Sequence, residues 1–335
     1  MAGPNLLQRV IARALTLKPV RAFLRYSEHR GPTLADSVTY RALFSIFAGV
    51  LLGFSIAALW LAGNPQAWRA LIDAVDAAIP GLVGDDGIIK PSSIEAPGGL
   101  SIATAVSLVG LVGAAIGAIG SLRIAIRTIA GTVSDDVLWY WVLLRNLALA
   151  VGIGGALAAS AAVTFFGTAG VGVVIGWLGL PGDHVLAATA SRSVAVLVTF
   201  LLDAAIIAVL FRVLSGMTAR GRALWSGALV GGLGLTVLQQ LSGLFVGGAA
   251  SNPLLASFAS LIALLLWVNL SAQVILIACA YIVTGVEEGA DRVRARHGAS
   301  TFAQRRVRSA EDAVAAATEE LRRAREARAA ELDRS

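Results

Sequence analysis

The stretch "RSVAVLVTFLLDAAIIAVLFR", residues 192–212, decides the fold class of this chain. Nineteen residues separate its two arginines, and Asp203 is the one charged residue among them. At ~1.5 Å of rise per residue, a helix of this length crosses the hydrocarbon core of a bilayer, which is ~30 Å thick. The stretch therefore predicts a membrane-spanning helix, and it raises the question of what a carboxylate does inside one.

The composition of the whole chain agrees with a membrane location. Of its 335 residues, 57% are hydrophobic and 14% are charged, whereas a soluble domain has about 25% charged residues. The mean hydropathy is +0.77, and long apolar runs recur along the chain. We therefore predict an all-α polytopic membrane protein.

Six apolar runs supply the predicted transmembrane helices. They are residues 40–62, 100–120, 139–165, 185–211, 225–247 and 255–284. If both termini are cytoplasmic, 24 of the 27 Lys and Arg residues lie on the cytoplasmic side or at its span entries, as the positive-inside rule requires. Only two of these bases are lysine, a usage typical of high-GC bacterial genomes. We expect six spans, both termini in the cytoplasm, and a bacterial inner-membrane location.

The regions outside the spans differ in charge. Residues 1–37 form a basic, amphipathic segment that we expect on the anionic lipids of the inner leaflet. The transmembrane domain, 38–285, follows it. Residues 286–335 then form a charged helical tail. The outer loop, 63–98, is acidic and is either simply solvated or captures a cation. The Gly-rich segment 165–184 is a candidate re-entrant turn.

Motifs for catalysis, cofactors and metals are absent from the sequence. There is no HExxH, Walker A or GxSxG motif, and the three histidines lie far apart. The one cysteine, Cys279, excludes a disulfide within the chain. The tail has no aromatic platform for stacking bases. We therefore expect a protein that is not an enzyme and that binds no cofactor, metal or nucleic acid.

Polar residues inside the predicted spans are the candidate functional residues. They are Arg145, Asn146, Asp203, Gln239, Gln240, Asn269 and Gln273. An ionised carboxylate at the centre of a membrane helix costs about 2.5–3.5 kcal/mol, so such groups usually face the helix bundle or a watery cavity. Asn269 and Gln273 are four residues apart and share a helix face.

Two arrangements are open for Asp203. It and Arg145 each lie nine residues from the predicted cytoplasmic ends of consecutive antiparallel spans, about 13 Å deep, so we hypothesise an ion pair, direct or bridged by water or Asn146. Alternatively, Arg145 reaches the lipid headgroups, while a protonated Asp203 bonds with Gln239 or Gln240.

Glycines four residues apart recur in the predicted spans, as in Gly113 with Gly117 and Gly227 with Gly231. Small residues at this spacing let the backbones of two helices approach closely. We expect these glycines to pack helices within one chain, with a homo-oligomer contact as the alternative.

Three stretches carry a resemblance to a known family: "TLADSVTYRALFSIFAG" (33–49), "LFRVLSGMTARGRALWSGALVGGLG" (210–234) and "LLASFASLIALLLWVNLSAQVILIACAYI" (254–282). In their order they resemble the YihY/virulence factor BrkB family, particularly its YhjD-like members. Departures from the family pattern are Ser215 in place of a proline, and "CAY" (279–281) where "GAE" is common.

The resemblance implies an integral protein of the cytoplasmic membrane associated with the cell envelope, which suggests transport or export of a lipid or another envelope component. The main alternative is a non-transporting scaffold that recruits partners through its cytoplasmic tail. The family once carried the label ribonuclease BN, but no residues here are suited to bind a metal pair or to activate water near RNA.

Overall fold

The computed structural model describes the greater part of the helical chain. The described residues are 6–60, 66, 69, 72, 102–132, 141, 144–149, 151–152, 155, 184–219, 221–250, 259–291 and 301–332. All regular secondary structure in these residues is α-helical, which confirms the all-α class. Nearly all of the predicted loop 63–98 and of the candidate re-entrant segment 165–184 lie outside the described residues.

The described part of the chain forms eight bounded helices. They are α1 (Leu6–Thr16), α2 (Lys18–Glu28), α3 (Gly31–Trp60), α4 (Ile102–Ala130), α5 (His184–Leu214), α6 (Gly221–Ala250), α7 (Ala259–Ala290) and α8 (Phe302–Leu332). The described residues between 141 and 155 are also helical and fall in the third predicted span.

Within the described residues, four helices are long and apolar enough to cross a membrane. Their apolar stretches are Val112–Ala130, Ala195–Leu214, Gly221–Leu241 and Leu261–Ala290, and they fall on α4 to α7. These helices correspond to the second, fourth, fifth and sixth predicted spans. The first predicted span falls on α3, which is 30 residues long.

The predicted amphipathic segment, 1–37, contains two short helices, α1 and α2, before α3 begins. The break lies at Leu17, whose extended backbone (φ −78°, ψ 128°) separates α1 from α2. Pro19 explains the break, because proline lacks an N–H donor and is tolerated only in the first turn of a helix. It occupies that turn of α2.

α2 packs against α7 rather than only facing the lipid surface. Ala22 and Tyr26 of α2 belong to the hydrophobic core, and the ammonium group of Lys18 lies 4.0 Å from the centre of the Tyr281 ring. Gly31, the first residue of α3, gives room to the Tyr26 ring, which a Cβ at this position would overlap. The basic N-terminal segment is therefore partly built into the helix bundle.

α4 continues ten residues beyond the predicted end of the second span. Arg123 and Arg127 lie beyond that predicted end, but both are on the helix and are buried. Arg127 Nε donates to the Leu214 carbonyl oxygen at 3.1 Å, and Thr132 Oγ1 donates to the Ser215 carbonyl oxygen at 2.8 Å. These bonds satisfy carbonyls at and just after the end of α5, where no partner within the helix is available, and they join the end of α4 to the α5–α6 turn.

Glycines on α6 bring three helices into close contact. A Cβ added to Gly231 would lie 2.6 Å from both Ala278 Cβ on α7 and Ile207 Cδ1 on α5. A Cβ on Gly232 would lie 3.0 Å from the Phe200 carbonyl oxygen on α5. Such distances leave no space for a side chain, so α5, α6 and α7 form the tightly packed centre of the fold.

Candidate functional site

Asp203, the carboxylate that the opening stretch singles out, bonds with a neighbouring helix. Its side chain on α5 is buried, with 8% of the residue exposed. Gln239 Nε2 on α6 donates to Asp203 Oδ2 at 3.2 Å. This contact is the Gln239 bond of the second arrangement. The protonation of Asp203, the headgroup contact of Arg145 and the Arg145–Asp203 ion pair stay predictions.

A second group of polar residues joins α7 to α3. Gln273 Nε2 donates to Asn269 Oδ1 at 2.6 Å, so these two residues do share a face of α7. Asn269 Nδ2 in turn donates to Asp36 Oδ1 at 2.8 Å and lies 3.3 Å from Thr39 Oγ1. A chain of hydrogen bonds therefore runs across the α3–α7 interface.

These two groups lie at the same depth in the bundle. Along the antiparallel pair α6 and α7, Gly227 faces Ile282, Gly231 faces Ala278 and Gly234 faces Val274. Gln239 is five residues beyond Gly234, and Asn269 is five residues before Val274, so the two amides are level. We call the six residues the polar layer: Asp36, Thr39, Asp203, Gln239, Asn269 and Gln273.

Large apolar side chains cover the outside of the bundle around this layer. Val209 and Trp225 are each 50% exposed and lie between the polar layer and the α5–α6 turn. Leu201, beside the layer on α5, is 51% exposed. Exposed apolar residues at and beside this level on α5 and α6 suit lipid contact. Asp36, at the α3 end of the layer, is itself exposed.

The other candidate polar residues are placed differently. Asn146 is buried, with its Nδ2 atom 3.8 Å from the Cβ position of Gly120 on α4. Arg145 is half-buried, with its Nε and Nη2 atoms inside the protein. Gln240 has an exposed side chain and stands outside the polar layer.

Of the four glycines that the sequence singled out, two lie in a helix interface and two do not. Gly227 and Gly231 lie in the α6–α7 interface, against Ile282 and Ala278. At Gly113 an added Cβ meets no atom of the described chain within 4 Å, and at Gly117 it meets only Arg41 Nη1, at 3.5 Å.

Sequence reasoning missed Asp36 and Thr39, because the predicted first span began at residue 40. In the structure α3 begins at Gly31, so both residues lie on the same continuous helix as the span. Their spacing of three residues, which puts two polar groups on one helix face, was the available signal.

Ion pairs join α2 to the ends of α7 and α8. Arg21 pairs with Glu288, Arg25 pairs with Glu287, and Arg305 Nε lies 2.6 Å from Glu28 Oε1. We call these three pairs the end cluster. Beside them is a cavity of about 840 Å³, lined also by Arg308, Asp291 and Asp312. Because its acidic and basic groups are nearly balanced, the cavity favours no single charge of ligand.

Tyr26 follows Arg25 of the end cluster in sequence and is buried. Burial, together with the negative charge of Asp36, raises the pKa of the Tyr26 phenol to about 12. The phenol therefore stays neutral throughout the physiological range, as a core residue should.

No group of three or more His, Cys, Asp or Glu side chains in the described part of the chain is arranged to hold a metal ion. Cys279 is buried and free.

Comparison with known proteins places the chain in a family. Neither the curated proteins nor the solved structures give a match. The family described as Virulence factor BrkB matches residues 22–301, a range that includes the whole polar layer and every helix from α3 to α7. Together with the four apolar helices, this match identifies the chain as a membrane protein of the virulence factor BrkB family.

Proposed function

We propose that this protein carries a lipid or another polar component of the cell envelope across the bacterial inner membrane. In this proposal the chain has six membrane-spanning helices with both termini in the cytoplasm, and the polar layer is the path or gate. It is not an enzyme and it uses no cofactor.

The polar layer is the observation that supports transport. Polar groups at this depth of an apolar bundle carry a desolvation cost that helix packing alone does not require. In the layer Thr39 and Asp203 are buried and the three amides are half-buried. Here they bond to each other between α3 and α7 and between α5 and α6. Such bonds can be exchanged for bonds to a passing headgroup, so a polar group crosses the apolar bundle without losing all its partners.

The chemistry of the layer favours particular headgroups. Asp36 and Asp203 offer carboxylate oxygens, and Gln239, Asn269 and Gln273 offer amide oxygens and N–H donors. Carboxylates and amide oxygens accept hydrogen bonds from hydroxyl and amine groups. We therefore expect headgroups rich in hydroxyls or amines to be carried better than a bare phosphate.

The test is lipid flux in proteoliposomes that contain the full chain. Fluorescent phosphatidylethanolamine and phosphatidylglycerol serve as probes, and a membrane-impermeant quencher reports the fraction that crosses. Gln239→Leu and Asn269→Leu should slow the flux, whereas Gln240→Leu, whose side chain is outside the layer, should leave it unchanged. Equal flux with all three variants would refute a role for the layer.

The alternative function is that of a membrane scaffold that recruits partners through its tail. The observation in its favour is that α8 is a 31-residue helix with most of its residues exposed. A truncation after Asp291 removes α8 but keeps Glu287 and Glu288. A scaffold loses its function in the cell with this truncation and tolerates changes in the polar layer, and a transporter does the reverse.

A further inference from the structure

The ammonium group of Lys18, on α2, is held at the junction of α6 and α7. It donates to Ser226 Oγ on α6 at 3.4 Å and lies over the Tyr281 ring on α7. A Cβ added to Gly285 would come within 2.6 Å of Lys18 Nζ, so the ammonium group takes the space that a side chain at position 285 would fill. Three helices therefore fix one cation in place.

This cation lies close to one end of the apolar helices, where lipid headgroups are expected. Ser226 is five residues after Gly221, where α6 begins, which is about 7.5 Å along the helix axis. Its neighbour Trp225 is 50% exposed, and tryptophan is enriched at the boundary between the hydrocarbon core and the headgroups. A headgroup of the leaflet at this end of the bundle can therefore reach Lys18.

A second cation belongs to the same place. Arg222 is exposed and precedes Ser226 by four residues, so the two side chains share a face of α6. The carboxylates at this end of α7, those of Glu287 and Glu288, are paired with arginines of α2. The local charge at Lys18 and Arg222 is therefore positive.

An apolar stripe leads away from this place along the outer face of α6. Its members are large, at least 40% exposed, and within about 60° of Ser226 around the helix axis: Leu229, Val230, Leu233, Val237 and Leu241. We call these five residues the α6 stripe. Because α6 is one of the apolar helices that can cross the membrane, the stripe suits contact with an acyl chain whose headgroup lies at Lys18.

We propose that Lys18 and Arg222 bind the phosphate group of a single anionic phospholipid, whose acyl chain lies along the α6 stripe. Lys18 Nζ offers N–H donors to one phosphate oxygen, and the Arg222 guanidinium takes two oxygens of the same group. Ser226 Oγ accepts from Lys18 and donates to the Ala223 carbonyl oxygen, so it orients the ammonium group. The proposal rests on the membrane location of α6 and not on transport.

The charge of the site selects among lipids. Two cations at one phosphate suit a headgroup with a net negative charge, such as phosphatidylglycerol. Phosphatidylcholine carries a quaternary ammonium group, which Lys18 and Arg222 would repel. General adsorption of a basic segment on an anionic surface has no fixed number of lipids, whereas this site holds one.

Native mass spectrometry of the full chain in detergent counts the bound lipids and tests the proposal independently of flux. With equimolar phosphatidylglycerol and phosphatidylcholine, one phosphatidylglycerol should stay bound. Lys18→Gln and Arg222→Gln should each weaken its binding about tenfold, because each removes hydrogen bonds from a charged donor. Arg212→Gln, which removes an exposed arginine near the end of α5, is the matched control and should leave the binding unchanged.

A second measurement locates the acyl chain. Phosphatidylglycerol that is brominated on its acyl chains quenches nearby tryptophans in phosphatidylcholine vesicles that contain the full chain. The quenching that saturates at low phosphatidylglycerol should be lost in Trp225→Phe and in Arg222→Gln. It should persist in Trp141→Phe, which removes another exposed tryptophan.

Each of the following outcomes contradicts the proposal. Retention of phosphatidylglycerol by both Lys18→Gln and Arg222→Gln would refute the site, and an equal loss with Arg212→Gln would indicate attraction by the overall charge. Displacement of the lipid by an equimolar amount of glycerol 3-phosphate would indicate a site for free phosphate. Because Arg222 is exposed, Arg222→Gln should fold normally by circular dichroism, so it decides the question even where Lys18→Gln unfolds.

Discussion

Replacing Gly231 by alanine is the sharpest test of how the helix bundle is held together. The added methyl group would lie 2.6 Å from Ala278 Cβ and 2.6 Å from Ile207 Cδ1. The Ile207 methyl is the end of a flexible side chain and can rotate away. Ala278 Cβ is fixed to the α7 backbone, so α7 must move by roughly 1 Å to reach ordinary carbon–carbon contact.

The expected cost combines two opposing terms. Overpacking of a tight interface costs about 1–3 kcal/mol, and the higher helix propensity of alanine returns up to about 1 kcal/mol. We therefore expect Gly231→Ala to lower the free energy of unfolding by about 1–2 kcal/mol.

The measurement is the free energy of unfolding of the full chain in mixed micelles, from SDS titrations followed by far-ultraviolet circular dichroism. Gly113→Ala is the matched control, because its Cβ meets no atom of the described chain within 4 Å, and it should be neutral or stabilising. The double variant Gly231→Ala/Ala278→Gly should recover part of the loss. If Gly231→Ala is as stable as Gly113→Ala, the close approach of α6 and α7 is wrong.

Three further predictions concern polar contacts. Gln239→Leu removes the donor to buried Asp203 and should lower the free energy of unfolding in the same micelles by about 1–3 kcal/mol; an equal loss with Gln240→Leu would contradict this. Glu28→Gln removes an ion pair that joins the tail to α2. The hydrogen-exchange rate of the α8 amides should therefore rise up to about fivefold, the equivalent of up to about 1 kcal/mol. The exchange rate of the α6 amides should stay unchanged. Hydrogen bonds from two arginines lower the Glu319 pKa from 4.5 to about 2. The support that Glu319 gives to α8 is therefore complete above pH 4.5 and is lost as the pH falls toward 2. A spin label at the end of α8 should gain mobility across that range, and Glu319→Gln should abolish the transition.

Much of the fold could be predicted from the sequence because the bilayer imposes simple rules. A run of about twenty apolar residues must be helical, since no water is available in the membrane to bond with its backbone. For this reason the stretch around Asp203 identified α5, and equivalent stretches identified α6 and α7. The polar residues on these helices could be selected in the same way, because they depart from the apolar pattern.

The partners of those residues could not be predicted, because they depend on packing between helices. Asp36 was assigned to the basic amphipathic segment, 1–37, since hydropathy places the start of a span where the apolar run starts and not where the helix starts. Gly232 was overlooked, although it touches α5, because its neighbour Gly231 fitted the four-residue spacing. The break at Leu17 follows from Pro19, but the packing of α2 on α7 follows only from three-dimensional fit.

The unbroken length of α7 joins the polar layer to the end cluster. Asn269, in the polar layer, and Glu288, in the end cluster, belong to one continuous helix and are ~28 Å apart along its axis. A rigid helix transmits rotation, so any turn of α7 that changes the hydrogen bonds of Asn269 also shifts Glu287 and Glu288 against Arg25 and Arg21. A ligand that favours one rotational position of α7 at either place would therefore change the contacts at the other place by the same coupling free energy.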